Sequence, residues 1–461
     1  MDKSISRRRM LSGALAAGAC AASFMTGNTN AQTLDVSFPD KFEPPEKPFM
    51  DTYHEGILKI AKGIRDTQID NITQAMQKAY EVQKKGGKIY SHLLVGHFSM
   101  FAGSPDRPGQ PFLLPQRIDR NTKEDFAAMK KGDFLITNGV NKETQEARER
   151  GVYVVGITNN YVKFYKTPPN ALRPEIMETA IEDVSDLVID SQVPWDNGLI
   201  AAPLIPQFKI IPSSGISQFL VYWACTAALA HLIGNKGKGS CAGVAEQYLD
   251  MAYDRFQMIG TDRPKIDLVA KKWADLVLGQ KARLLVHGHP QEVKPYGGTR
   301  NVFVNESYIV ASGSMIADLY ETHQHDLKPG DIVLIGGLTS DNMNEISAVR
   351  NARKAGAYTV AFCPFGTDGD SSGIRLFKEV DVAFNTYSDE SEGVIAVNDF
   401  NKKICPLTGL TGNLVHWMLM AQWTDHMARR GEMPYFWQGY HERTGQEYDK
   451  LVHPLFMKRG Y

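Results

Sequence analysis

The feature that most constrains this chain is a long internal repeat. "PSSGISQFLVYW" (212–223) returns as "PLTGLTGNLVHW" (406–417), 194 positions later. Laid on itself at an offset of about 193, the chain matches at further points in the same order. "GGKIYSHLLVGH" (86–97) meets "GQKARLLVHGH" (279–289), and "KKGDFLITNGV" (130–140) meets "KPGDIVLIGGL" (328–338). "ARERGVYVVGIT" (147–158) meets "ARKAGAYTVAFC" (352–363), and "DLVIDSQVPWDNGLI" (186–200) meets "DVAFNTYSDESEGVI" (381–395). Ordered matches at one long period imply two copies of one domain.

Each copy reads alike. An amphipathic helix ("IDNITQAMQKAYEVQKK", "KIDLVAKKWADLVLGQ") precedes a short apolar strand that runs into Gly-His. A second strand follows Gly-Asp. A helix then stops at Gly151 or Gly356. Strands three ("VYVVGIT", "AYTVAFC") and four ("DLVID", "DVAFN") come next. A fifth element ("FKIIP", "KKICP") leads through a hydroxyl-rich turn into a long helix that is apolar on nearly all sides. Alternating strands and helices predict a parallel sheet covered on both faces. A helix apolar all round is buried.

The 51 basic and 52 acidic side chains balance, so neither nucleic acid nor an anionic membrane surface is an expected partner. The first 31 residues stand apart. "SRRRMLSGALAAGACAAS" carries arginines before a short Gly/Ala-rich run, and Thr29 and Ala31 occupy small-residue cleavage positions. This resembles a twin-arginine export signal cut after Ala31, giving a periplasmic or otherwise exported protein with no membrane anchor. A second reading makes Cys20 a lipoprotein cysteine. Cys225, Cys241, Cys363 and Cys405 show no CxxC spacing and are expected as buried free thiols.

The order of elements resembles the sugar isomerase (SIS) domain. Its marks are Gly-His after strand one, Pro-Gly-Asp before strand two (Lys-Gly-Asp in copy one), a Ser/Thr-rich phosphate loop, and a Pro-hydroxyl turn before a long helix. The resemblance covers roughly 62–261 and again 262–461, following a signal at 1–31 and an N-terminal arm at 32–61. It implies an α/β protein of two tandem SIS domains, each a flavodoxin-like three-layer α/β/α sandwich with a five-stranded parallel sheet. Tandem SIS domains also resemble the amidotransferase-type glucosamine 6-phosphate synthases and the glucokinase regulatory proteins, although no amidotransferase half is present.

Hydroxyls before a helix place O–H and N–H donors at the positive end of its dipole, where an oxyanion or a sugar binds. The candidates are Ser213, Ser214 and Ser217 in copy one, and Thr408 and Thr411 in copy two. Plain N-capping is the competing use of such residues. The phosphate loop of SIS proteins resembles Ser-x-Ser-Gly-x-Thr-x-Glu. Counted back from Glu345 in "GGLTSDNMNEI", Ser340 falls on the middle Ser, Asp341 on the Gly and Met343 on the Thr, with Thr339 and Asn342 as further donors. Asp341 would repel phosphate. Copy one is shorter there and offers Asn138, Asn141, Lys142 and Thr144. Such amide-rich loops suit the vicinal hydroxyls of a neutral sugar.

His97 and His289 align after strand one, at the edge where open α/β sheets bind ligands. Histidine passes protons near neutral pH, so His97, His289 and Glu345 are the candidate acid/base groups for aldose–ketose isomerisation. "HGHP" (287–290) and "HQH" (323–325) could hold zinc only if folding joined them, and neither a metal nor a cofactor is expected. The expected function is binding of a sugar or sugar phosphate, with possible isomerisation. Non-catalytic carbohydrate binding or regulation is the first alternative, and a lyase or etherase acting on cell-wall sugars the second. A homodimer or higher homo-oligomer is expected.

Overall fold

The apolar runs that follow the amphipathic helices become parallel strands. A computed structural model describes residues 45–93, 117–118, 123–158, 180–194, 197–202, 205–287, 318–366, 373–389, 393–436 and 445–461. The first half runs α1 (Phe49–Thr67), α2 (Ile69–Lys84), β1 (Ile89–Leu93), β2 (Arg117–Ile118), α3 (Lys123–Ala128), β3 (Phe134–Thr137), α4 (Lys142–Glu149), β4 (Tyr153–Ile157), α5 (Ile181–Val184), β5 (Leu187–Ile189), β6 (Gly198–Ala202), β7 (Ile205–Pro212) and α6 (Ser214–Gly234). The second runs α7 (Ala242–Ile259), α8 (Arg263–Gln280), β8 (Leu284–His287), β9 (Asp318–Leu319), α9 (Tyr320–His323), β10 (Ile332–Gly336), α10 (Met343–Lys354), β11 (Tyr358–Cys363), α11 (Leu376–Glu379), β12 (Val382–Asn385), α12 (Thr408–Ala428) and α13 (Gly445–Arg459).

This is a mixed α/β fold with two parallel sheets, ordered β2-β1-β3-β4-β5 and β9-β8-β10-β11-β12. Central strands β3 and β10 are buried at every residue, as a sheet covered on both faces requires. Four strands form the body of each sheet, and the edge strands β2 and β9 have two residues each. The fifth elements expected from sequence lie elsewhere. "FKIIP" belongs to β7, which pairs antiparallel with β6 in a separate ribbon, and "KKICP" makes only an antiparallel bridge, Ile404 to Ile395. Chain direction explains the difference: β7 folds straight back from β6, and a direct return can pair only antiparallel.

Phe49–Thr67, within and beyond the segment read as an N-terminal arm, is a helix with Tyr53, Ile57 and Ile64 fully buried. Helices α1, α2, α6, α7, α8 and α12 share one apolar core with the inner faces of both sheets. Helix α2 packs on α6 and α8 packs on α12. Helix α1, however, packs chiefly on α12, and α7 on α6, so the leading helix of each half lies against the long helix of the other. Helix α6 is long and apolar enough to cross a membrane, but it is buried in this core. Shorter helices close the outer faces: Phe126, Met129 and Ala147 over the first sheet, Tyr320, Ile346 and Leu376 over the second. Cys225, Cys241, Cys363 and Cys405 are buried with free thiols.

The Gly-Asp motif has a structural use. Gly132 and Gly330 take left-handed φ of 92° and 89°, where a side chain is strained. The adjacent Asp133 accepts from Lys88 N (2.8 Å) and Lys130 N (3.0 Å), and Asp331 accepts from Arg283 N (3.2 Å) and Lys328 N (2.8 Å). Each aspartate thereby fastens the start of one strand to the turn before the next.

Candidate functional site

In both halves a long buried helix begins beside the carboxyl ends of the strands, after an unusual turn. Ile211 and Cys405, directly before Pro212 and Pro406, have φ of 63° and 61°. For β-branched Ile211 this is a strained conformation, costing on the order of 1–3 kcal/mol. Tyr53 Oη donates to Pro212 O at 2.9 Å, and Tyr248 Oη to Pro406 O at 3.3 Å. A tyrosine from α1 or α7 thus anchors each turn.

Three of the five hydroxyl donors predicted at these turns bond to nearby backbone carbonyls. Ser213 Oγ donates to Asn197 O at 2.9 Å, and Ser217 Oγ to Ser214 O at 3.4 Å. Thr411 Oγ1 donates to Leu407 O at 3.1 Å, while Thr408 sits at the start of α12 with 5% exposure. The side chain of Asn197 caps α6, with Oδ1 accepting from Ser213 N (3.2 Å) and Ser214 N (2.9 Å). An amide oxygen thus takes two of the N–H groups at the start of α6.

What remains is a set of buried polar atoms next to that cap. Ser214 Oγ, Asn197 Nδ2 and Gln218 Nε2 have no hydrogen-bond partner among the described residues, although these residues are at most 1% exposed. They are contiguous: Asn197 bonds Ser214, Gln218 lies one helical turn further on, and Gln218 Oε1 accepts from Asn138 Nδ2 at 2.8 Å. Buried polar groups are nearly always satisfied, so a cluster of unpaired ones points to a missing polar ligand or water. Asn138, the first residue after β3, is thus joined to Gln218, one helical turn from Ser214. Asn141 is not, because it caps α4 through Thr144 N (2.8 Å).

The second half is built differently. Asn342 caps α10 through Asn344 N (2.9 Å), and Ser340, 1% exposed, accepts Leu376 N on its carbonyl at 2.6 Å. Thr339 is half-buried in the same loop. Asp341 pairs with Arg375 (3.7 Å), which offsets the repulsion expected from that carboxylate. Glu345, 3% exposed, has Oε2 without a hydrogen-bond partner among the described residues. Burial raises its carboxyl to about 7, and the nearby His287 imidazole opposes the rise.

His97 and His289 lie outside the described residues. Strand register makes a different pair equivalent. His92, the fourth residue of β1, stands beside Thr137 of β3, and His287, the fourth residue of β8, stands beside Ile335 of β10. Each ring meets an aromatic edge-on: His92 with Phe126 (5.3 Å between centroids) and His287 with Tyr320 (5.2 Å). His92 Nδ1 contacts Thr137 Oγ1 at 3.3 Å, and burial lowers its pKa to about 4. In the second half the hydroxyl partner is replaced by Ile335. A carboxylate, Glu345, stands three residues after the α10 cap, where Thr144 stands after the α4 cap. No His, Cys, Asp or Glu cluster suited to a metal forms among the described residues.

Sequence reasoning missed Asn197, Gln218 and His92. Asn197-Gly198 is a turn dipeptide and Gln218 is a polar residue in an apolar helix, and both signals are present in the chain.

No family model and no curated protein matches the chain. Solved structures do. A candidate tagatose-6-phosphate ketose/aldose isomerase from Clostridium novyi NT is 12% identical, with a TM-score of 0.43 over 82% of this chain and 89% of that one. The C-terminal domain of glucosamine-fructose-6-phosphate aminotransferase from Francisella tularensis is 9% identical, with a TM-score of 0.42 over 82% and 98%. A candidate phosphosugar isomerase from Silicibacter pomeroyi DSS-3 is 12% identical, with a TM-score of 0.40 over 84% and 100%.

Proposed function

We propose that the chain is an exported protein of two tandem SIS-type domains that binds a sugar or sugar phosphate at the carboxyl edge of its sheets. The observation that carries this reading is the buried cluster of Asn138, Asn197, Ser214 and Gln218 with its unpaired polar atoms. Amides and hydroxyls both donate and accept, as vicinal sugar hydroxyls demand. The cluster itself contains no cation, which favours a neutral polyol segment of the ligand over its phosphate. The common strand order of the two sheets, and the sequence repeat, support a duplicated domain.

Aldose–ketose isomerisation belongs to the proposal through the second half. A carboxyl near neutrality beside an imidazole can take the proton from the carbon next to the carbonyl and return it to the former carbonyl carbon, while a second proton passes between the two oxygens. The alternative is a protein that binds sugar without turnover. The first half favours it, since Thr144 stands where an ionisable group would be needed and its hydroxyl donates to Asn141 Oδ1 at 2.7 Å.

Melting temperature measured against paired free and phosphorylated sugars tests the reading. A ligand at a hundred times its dissociation constant adds about 2.7 kcal/mol to the native state. A shift that Ser214→Ala removes supports the site, and turnover of that sugar is then assayed by NMR. The absence of a shift with any sugar of either set would reject it.

A further inference from the structure

A second concavity lies at the other end of the first sheet. A cleft of about 590 Å³ opens at the amino ends of β1, β3 and β4, framed by the turns at 85–87, 130–133 and 151–153. That volume is within the ~300–1,000 Å³ range of small-ligand sites. Lys78, Lys85, Lys130 and Lys131 line it, and none forms an ion pair with a described carboxylate. Lys78 Nζ instead lies 5.1 Å from the centre of the Tyr153 ring, which holds its charge at the cleft wall.

The acidic groups of the cleft are mostly committed. Asp133 spends both oxygens on the backbone N–H groups of Lys88 and Lys130. Asp186 accepts from Val154 N (2.8 Å) and Arg148 Nε (3.1 Å), so Arg148 and Asp186 cancel. The same arrangement recurs in the second half, where Asp331 holds two backbone N–H groups and Asp381 holds Thr359 N at 2.8 Å. These aspartates are scaffold in both sheets. Glu81 is the one lining carboxylate outside this scheme, against four lysines. The second half has Pro329 at the turn position of Lys131.

We propose that this cleft binds a compact polyanion, a small molecule carrying two or more phosphate or sulfate groups, at a site separate from the carboxyl-edge cluster. The lining carries five cationic side chains against three carboxylates, and an excess of positive charge around a concave surface focuses potential and favours multiply charged ligands over single charges. Lysines act as point charges on flexible stems and so accommodate such anions without fixed geometry.

Calorimetric titration of the full chain with inorganic tripolyphosphate at low ionic strength tests this. Saturable binding should weaken about tenfold or more in the Lys85→Gln/Lys131→Gln double variant and fall as salt screens the charges. Both lysines are exposed, so the variant retains the fold. Ser214→Ala should leave the binding unchanged, which separates this site from the sugar site. Equal affinity in the double variant, loss of binding in Ser214→Ala, or no saturable heat in the native chain would each overturn the proposal.

Discussion

Glu345 shows what one substitution does to a conserved geometry within the chain. Both halves place a histidine at the fourth position of the first strand, edge-on to an aromatic ring. In the first half the ring meets a hydroxyl, and the buried residue after the helix cap is Thr144. In the second half the hydroxyl is gone and the buried residue is ionisable. Because the carboxyl of Glu345 is raised from 4.5 to about 7, the folded chain holds a proton there that the unfolded chain releases between those values. Its contribution to stability is full below the lower value and is lost as pH rises through the higher one. His92, lowered to about 4, and His416, lowered by burial to about 3, act in the opposite sense, losing stability as pH falls below the ordinary histidine value of 6.5. Glu345→Gln removes only the first dependence. Urea unfolding at pH 4 and pH 8 should show the variant gaining about 3 kcal/mol on the native chain across that interval. A difference that does not change with pH would mean that the carboxyl is not buried as described.

The β6–β7 ribbon is the element that most clearly departs from its sequence pattern. "FKIIP" has the composition of a central strand, yet it pairs with its immediate predecessor and delivers the chain to the α6 turn. Space, not propensity, explains how tightly it sits. A Cβ on Gly198 would lie 2.1 Å from Lys209 O, and one on Gly393 would lie 1.9 Å from Ile404 O, at the matching crossing of the second half. Both contacts are with backbone and cannot be relieved by a side-chain rotation. Gly198→Ala should therefore destabilise by more than about 2 kcal/mol and should also weaken any sugar-induced shift, since Asn197 is its neighbour. Gly279→Ala, in α8 with nothing within 4 Å of the added methyl, should stabilise by about 0.5–1 kcal/mol. Denaturant unfolding of the two variants tests both signs, and similar destabilisation by both would contradict this packing.

At the scale of the whole molecule, the shared core is the main organising fact. Helices α1, α2, α6, α7, α8 and α12 share one apolar core with residues of both sheets, and the leading helix of each half packs on the long helix of the other. Neither half can bury its apolar surface alone when its partner is removed. Calorimetry of the chain should accordingly show one cooperative transition rather than two. Fragments cut near residue 238, between α6 and α7, should not fold independently, as judged by far-UV circular dichroism and melting. Two resolved transitions would show that the halves are energetically separate.

The sequence by itself determined the order of elements, the repeat, the parallel strands and the burial of the long helices, because these follow from local periodicity and turn residues. It also marked Ser214 and Asn138 as candidates through residue type and position. It did not reveal that Ser213, Ser217 and Thr411 spend their hydroxyls on nearby carbonyls, because hydrogen-bond partners depend on geometry that spacing does not carry. Nor did it reveal the His92–His287 equivalence, since an alignment by motif slides by a few residues where strand register does not. The exchange of α1 and α7, and the meeting of Asn138 with Gln218 across 80 residues, were decided only by the tertiary structure. Contacts between distant segments are selected by the collective burial of a shared core, and no local stretch of sequence encodes that sum.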